Sequence, residues 1–296
     1  MFLADLKNQK IDELFEAYAM GSCTYKARYA YWTEQLFERV MRLFVWTGTG
    51  DVPAKEIEQR LILAGHCGIT RRPRQTHLTA MYGSFFGVTE YQDEFTNYTV
   101  HCPIWSGTRT IGKDIVVINN NSLRNPVYPL IHSYAQLLAH TEVTFMDMLV
   151  NARDSNGVPV ANTEIAKRSI KSYQAKKFNG QYDVVMDPAF TGVDFRQTVD
   201  IKANLFQELW ETRNNILKDF YSDIGVKSAF EKQSNTIDAE VRSNDSLLLL
   251  NIKDMIEYRK KGAEEVNKMF GTSWSVEVAK EILIGLEEEV PENEND

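Results

Sequence analysis

Two His-Cys pairs, His66-Cys67 and His101-Cys102, with His77 between them, are the residues whose types could ligate a metal ion. A zinc site usually takes ligands two to four residues apart, so that one turn of chain presents both. Adjacent residues point in divergent directions, so these pairs read as buried cysteines of a small sheet domain. Asp183, Asp187 and Asp194 form a second group, in a loop-rich section. Carboxylate catalysis needs two acids at a held separation, and nothing in this spacing holds one. Gly48-Thr49-Gly50 precedes Pro53 with no Lys-Ser/Thr after it, so it reads as a linker and not as a phosphate cradle. No GxSxG, HExxH or GxxxxGK[ST] pattern occurs. The expectation is no catalytic residue, no metal and no cofactor, hence a protein that is not an enzyme.

Charge is distributed unevenly along the 296 residues. The chain carries 33 basic and 41 acidic residues, a formal charge of −8. Residues 264–296 hold ten acids and two lysines, which is the whole net charge, and the preceding part balances. A protein that grips nucleic acid shows a basic excess. This balance predicts at most a loose hold on DNA. The last residues, from Glu287, read as a solvated tail. Cys23, Cys67 and Cys102 are widely separated and form no CxxC pattern, which fits a reducing compartment or one where disulfides are not needed. The longest apolar run, Leu247-Leu248-Leu249-Leu250, is far short of the roughly 20 residues of a membrane span. Met1-Phe2-Leu3-Ala4-Asp5 does not open a signal peptide.

Periodicity predicts the elements that must carry these residues. Apolar spacing from Tyr25 to Trp46 predicts one helix, and Ile57, Leu61 and Ala64 mark a second that ends at Gly65. From Leu78 to Asn121 the pattern becomes strand-like, over Ser84–Glu90, Glu94–His101, Thr108–Ile111 and Ile115–Asn119, with Gly112-Lys113-Asp114 as a turn. Long helices are expected over Leu130–Arg153, Val199–Ile224 and Leu247–Phe270. A last short amphipathic helix is expected to carry Val278, Ile282, Leu283 and Leu286. Asn179-Gly180 and Tyr182–Met186 suggest a hairpin between the first two long helices. The polar stretch 225–246 is too long for an ordinary connection and reads as functional or disordered. The class is α+β, mainly α. Long helices with apolar stripes bury those stripes poorly in one chain, which favours a ring.

Several segments, taken in order and spacing, carry a resemblance. They are Gln35-Leu36-Phe37, Leu43-Phe44-Val45-Trp46, Val116-Val117-Ile118-Asn119-Asn120, Gly225-Val226-Lys227, Glu240-Val241-Arg242-Ser243-Asn244-Asp245 and Ala263-Glu264-Glu265-Val266-Asn267. From about Tyr25 to Leu286 the chain resembles the head–tail connector, also called the portal or upper collar protein, of small short-tailed phages with protein-primed linear DNA genomes. The resemblance implies a phage portal fold with a small SH3-like β wing. Residues 1–124 would form N-terminal helices and wing, 125–153 the first stem helix and 154–198 a clip. Residues 199–225 would form the second stem helix, 226–246 a channel loop and 247–296 C-terminal helices with an acidic tail. It also implies a homo-oligomer, a dodecameric ring in the virion, made in the host cytoplasm. Double-stranded DNA would pass through it, with the major capsid protein, lower collar and tail proteins and a packaging ATPase as partners. Met1–Ala19 holds two lysines and no arginine against four acids, which argues against a packaging RNA.

The candidate site residues follow. Arg196, Lys202, Lys227, Lys232 and Arg242 are the expected DNA-channel cations, and Leu205, Leu209, Trp210 and Phe220 the expected subunit interface. Two other readings compete. One is a tail adaptor or collar ring with no packaging role, and the other is a DNA-processing enzyme, against which the lack of an acidic metal cluster counts.

Overall fold

A computed structural model describes residues 25–90, 95–102, 104–152, 158–161, 163–178, 193–196, 205–226 and 238–279. Helix α1 (Tyr25–Met41) buries Trp32, Leu36 and Val40, spaced four apart on one stripe. The helix expected to reach Trp46 stops at Met41, and Phe44–Thr47 is strand β1. Phe44 and Trp46 are both buried while Val45 and Thr47 are exposed, a period of two that no helix satisfies. Its partner is β9 (Ser275–Val278), antiparallel, from Phe44 opposite Val278 to Thr47 opposite Ser275. Val278 therefore belongs to a strand and not to the expected amphipathic helix, whose remaining residues, Ile282, Leu283 and Leu286, lie outside the described residues. Helix α2 (Ala54–Ala64) buries Ile57, Leu61 and Ile62 and ends at Gly65, whose φ of 79° an L side chain rarely adopts.

The largest sheet among the described residues is five-stranded and antiparallel, in the order β5-β4-β3-β2-β6. Its strands are β2 (His66–Arg71), β3 (Leu78–Val88), β4 (Phe95–His101), β5 (Gly107–Thr110) and β6 (Ile115–Asn119). Strand β2 was not expected, because Cys67 to Thr70 are all buried and show no alternation. Strand β3 serves two partners in turn. Its first part, Leu78–Met81, pairs with β2 and the rest, from Tyr82, with β4. Met81, Tyr98, Val100 and Ile115 form the core. The Tyr98 ring fills the space over Gly68 and Gly83, where any Cβ would collide with it. Gly112, Lys113 and Asp114 form the expected turn, with Gly112 at φ 79°.

Helix α3 (Tyr128–Ala152) matches the first expected long helix closely. Strands β7 (Val158–Ala161) and β8 (Val193–Arg196) pair antiparallel, and helix α4 (Glu164–Phe178) lies between them in sequence. Helix α5 (Leu205–Ile224) covers the described part of the second. Helix α6 runs over Asp238–Phe270 and so begins well before Leu247. The stretch expected as a loop to residue 246 is helical from Asp238. Asp238 and Glu240 suit a helix N-terminus, and a helix prolonged from a buried segment needs no apolar anchors of its own. No described helix is long and apolar enough to cross a membrane. Asn179-Gly180 and Tyr182–Met186 lie outside the described residues.

The chain divides into two units. The first comprises Thr33–Tyr134 and Leu217–Asp296, the second Phe2–Trp32 and Ala135–Ile216. In the first unit, Gly262 of α6 lets Ile118 of β6 approach so closely that a Cβ would stand 2.8 Å from its side chain. Three residues away, Arg259 of α6 is wholly buried. Its Nε and Nη2 donate to the two carboxylate oxygens of Glu58 at 2.8 and 2.9 Å. Its Nη1 donates to the carbonyls of Asn120 and Met255 at 2.9 and 3.1 Å, and its Nη2 also to Asn120 Oδ1 at 2.9 Å. All five guanidinium donors are thereby used. Trp46 Nε1 donates to Glu58 Oε1 at 2.6 Å, and the Phe44 ring lies 4.0 Å from Arg259 Cζ. Glu58→Gln keeps the shape but leaves a buried cation uncompensated, at a cost of about 3–5 kcal/mol. Chemical denaturation of the variant checks this, and an unchanged midpoint would show that packing alone holds the helix.

Candidate functional site

The His-Cys pairs separate as strand geometry requires. His66 Nδ1 and the Tyr98 hydroxyl are hydrogen-bonded at 2.9 Å. Burial, and secondly the Arg124 charge, hold the His66 imidazole down at about 4. Cys67 is fully buried, and burial pushes its thiol up to about 12 against the opposing charge of Arg60. Such a thiol stays protonated at neutral pH and is a poor nucleophile. His101 Nε2 meets Ser84 Oγ at 2.9 Å, Cys102 packs half-buried against the sheet core, and His77 is exposed. Among the described residues no three metal-ligating side chains come together. Asp194 sits in β8 opposite Val160, and Asp183 and Asp187 lie outside the described residues.

Of the expected interface residues, Leu205, Leu209 and Trp210 share α5 in the second unit. The two leucines are half-buried and Trp210 is 54% exposed. Trp210 is held in place. The Arg213 guanidinium lies 5.3 Å from its ring and 5.1 Å from the ring of Trp32. Arg213 Nε donates to Glu142 Oε1 at 3.4 Å, and Arg28 approaches the other Glu142 oxygen at 3.6 Å. Phe145 adds an edge contact to Phe206 and a tilted one to Trp210, with centroids 5.8 and 6.5 Å apart. Phe220 differs. It lies in the first unit, fully buried, edge-on to Tyr134 at 5.5 Å. A ring with no exposed surface in its own chain has none to offer a second copy, so Phe220 serves its own core.

Of the expected channel cations, Arg196 ends β8 opposite Val158, and Arg242 lies in the second turn of α6. Lys202, Lys227 and Lys232 lie outside the described residues.

A family model described as Phage Connector (GP10) matches residues 24–283. The chain belongs to the phage connector family. It is a structural protein of the phage head–tail junction. Solved structures align with the chain at TM-scores below 0.5. A chain in the portal and tail of native bacteriophage P68 is 17% identical, covering 89% of the connector and 92% of that chain at a TM-score of 0.43. An HK97 family phage portal protein from Corynebacterium diphtheriae is 12% identical over 89% of the connector and 94% of its own chain, at a TM-score of 0.47. A chain of the native gene transfer agent virion is 8% identical over 86% and 81%, at 0.43. No curated protein matches the connector.

Sequence reasoning overlooked three arginine environments in the connector. Arg259 and Arg213 carry no spacing signal, since each finds its partners on other elements. The third was open to counting. From Gln59 to Thr89 the chain holds no acid, yet it holds Arg60, Arg71, Arg72 and Arg74. Summing charge over a longer stretch hid this.

His66 generates a pH prediction. The unfolded imidazole titrates near 6.5 and the folded one near 4. Between those values the unfolded chain binds a proton that the folded chain refuses, so acidification favours unfolding. The associated stability is complete above pH 6.5 and is lost as pH falls towards 4, by about 3 kcal/mol. Denaturation midpoints of the wild type and His66→Gln across this window should converge on the acid side. Parallel curves would show that His66 does not contribute.

Proposed function

We propose that the connector closes into a ring, a dodecamer in the family reading, at one vertex of the phage head in the virion. Double-stranded DNA passes along its axis, inward under a separate packaging ATPase and outward on infection. The major capsid protein surrounds it, and lower collar and tail proteins attach to it. The observation that carries this reading is the family match, which runs from residue 24 to residue 283 and takes in both units. In this reading the β2–β6 sheet is the wing, α3 and α5 are stem helices, and residues 154–198 form the clip. Residues 226–246 face the channel. No step of such a conduit calls on a catalytic side chain of this chain.

Trp210, with Leu205 and Leu209, is the proposed subunit contact. An exposed indole already held by Arg213 and Phe145 loses little freedom when covered, which is the profile of an interface anchor. Electron microscopy of the purified protein should show closed rings with a central hole of duplex width. Trp210→Ala should weaken subunit association by about 2 kcal/mol or more, seen as dissociation at higher protein concentration in sedimentation. A wild type that sediments as a 34.0 kDa monomer at every concentration would overturn the ring.

From Lys227 to Asp245 the chain holds three cations and four acids. A weakly negative wall with few cations touches phosphates without gripping them, and each contact is salt-sensitive. Neutralising Lys232 and Arg242 together, as Lys232→Gln with Arg242→Gln, should leave ring assembly unchanged and alter DNA retention or transit. Unchanged packaging and retention would remove both residues from the channel.

A further inference from the structure

The turn between β2 and β3 concentrates positive charge in a chain whose net charge is −8. Its sequence is Arg71-Arg72-Pro73-Arg74-Gln75-Thr76-His77, and every residue except the half-buried Arg72 is exposed. The turn is ordered. Gln75 N donates to the Arg72 carbonyl at 3.1 Å, and Arg74 occupies the left-handed region at φ 67°. Its root is tied by the Thr70 hydroxyl, which donates to the Asp114 carbonyl at 2.8 Å. That bond brings in the exposed Lys113 of the β5–β6 turn. On the other side, the Arg71 guanidinium lies over the Phe270 ring at 5.3 Å, two residues beyond Lys268 of α6. The nearby acids are Asp114, one oxygen of which accepts from Thr110 N, and Glu264 and Glu265, which sit one turn back on α6 with Lys261 and Lys268.

Among the described residues no carboxylate pairs with Arg71, Arg72 or Arg74. Arg72 Nε lies out of water with no acceptor, a state that ordinarily costs stability. Arg60, Arg213 and Arg259, by contrast, each meet a carboxylate, of Glu56, Glu142 and Glu58. Among the described residues the Arg72 and Arg74 guanidiniums thus make no ion pair and no hydrogen bond, while like charges lie close together along one short turn. Guanidinium forks match phosphate oxygens, and one of them, that of Arg71, rests over an aromatic ring. No aromatic platform for base stacking lies within the turn, and Gln75 is its only amide. Such a set positions a backbone without reading its sequence.

We propose that the β2–β3 turn is a phosphate-backbone contact site for double-stranded nucleic acid, separate from the channel segment. It extends the connector reading, and rests on it only for which duplex the protein meets. The test uses the full chain, with a DNA duplex and an RNA duplex of the same random sequence as probes, binding being followed by fluorescence anisotropy over a salt series. Arg72→Gln with Arg74→Gln should weaken binding of one or both duplexes and make the slope of log affinity against log salt shallower by about 1 to 2. Which duplex responds names the source of the phosphate. Arg72→Lys with Arg74→Lys keeps the charge and should retain most of the slope. Equal thermal midpoints and ring images from the same samples separate a failure of this site from a failure to fold or to form rings. Equal affinity and slope in the Gln variant would overturn the site, as would a wild type that binds neither duplex at low salt. Binding of polyglutamate by the turn in place of either duplex would assign it to an acidic protein and also overturn it.

Discussion

The first unit is organised around one buried cation. A guanidinium taken out of water is tolerated only when a counter-charge and acceptors surround it. Arg259 meets that demand by drawing Glu58 from α2, Asn120 from the end of β6 and Met255 from its own helix. Glu58 in turn holds Trp46 of β1, and Phe44 of the same strand lies against the guanidinium. Helix α6, helix α2, the five-stranded sheet and the β1 strand are therefore tied together through a single side chain. Every partner must arrive together, which makes the cluster a cooperative element and not a sum of surface ion pairs.

Backbone space is the second constraint. The core of the five-stranded sheet is built on Tyr98, whose ring occupies volume that only glycine leaves open at positions 68 and 83. Gly262 does the same for α6, letting the helix lie close to Ile118. β6, one edge of the sheet, lies against α6, and β5 forms the opposite edge. The β2–β3 turn, tied at its root by Thr70 to Asp114, leaves its charge exposed.

The second unit repeats the theme with a surface variant. Arg213 lies between Trp32 and Trp210 and touches Glu142, which also faces Arg28. Here the charge is only partly withdrawn from water, so the pair contributes less to stability than the one at Arg259. Its effect is to fix the pose of a large exposed indole. Assembly and folding therefore draw on the same chemistry at different depths.

What the amino-acid sequence determined by itself were the elements whose signals are local. The helix stripe of Trp32, Leu36 and Val40, the turn at Gly112, the long α3 helix and the order of segments that marks the family were all legible there. The tertiary structure alone decided the features that depend on distant partners. Phe44 and Trp46 extend a helical pattern until β9, more than two hundred residues later, makes them a strand. Phe220 reads as one more apolar residue on an amphipathic stripe until Tyr134 covers it. Asp238 to Ser246 reads as loop because helix continuation needs no apolar signal of its own. Arg259 carries no signal in the sequence, and its burial follows only from Glu58 and Asn120 enclosing it. Periodicity reports which face of an element is apolar, but burial of a charge or of a strand edge is settled by which other chain segment arrives to satisfy it.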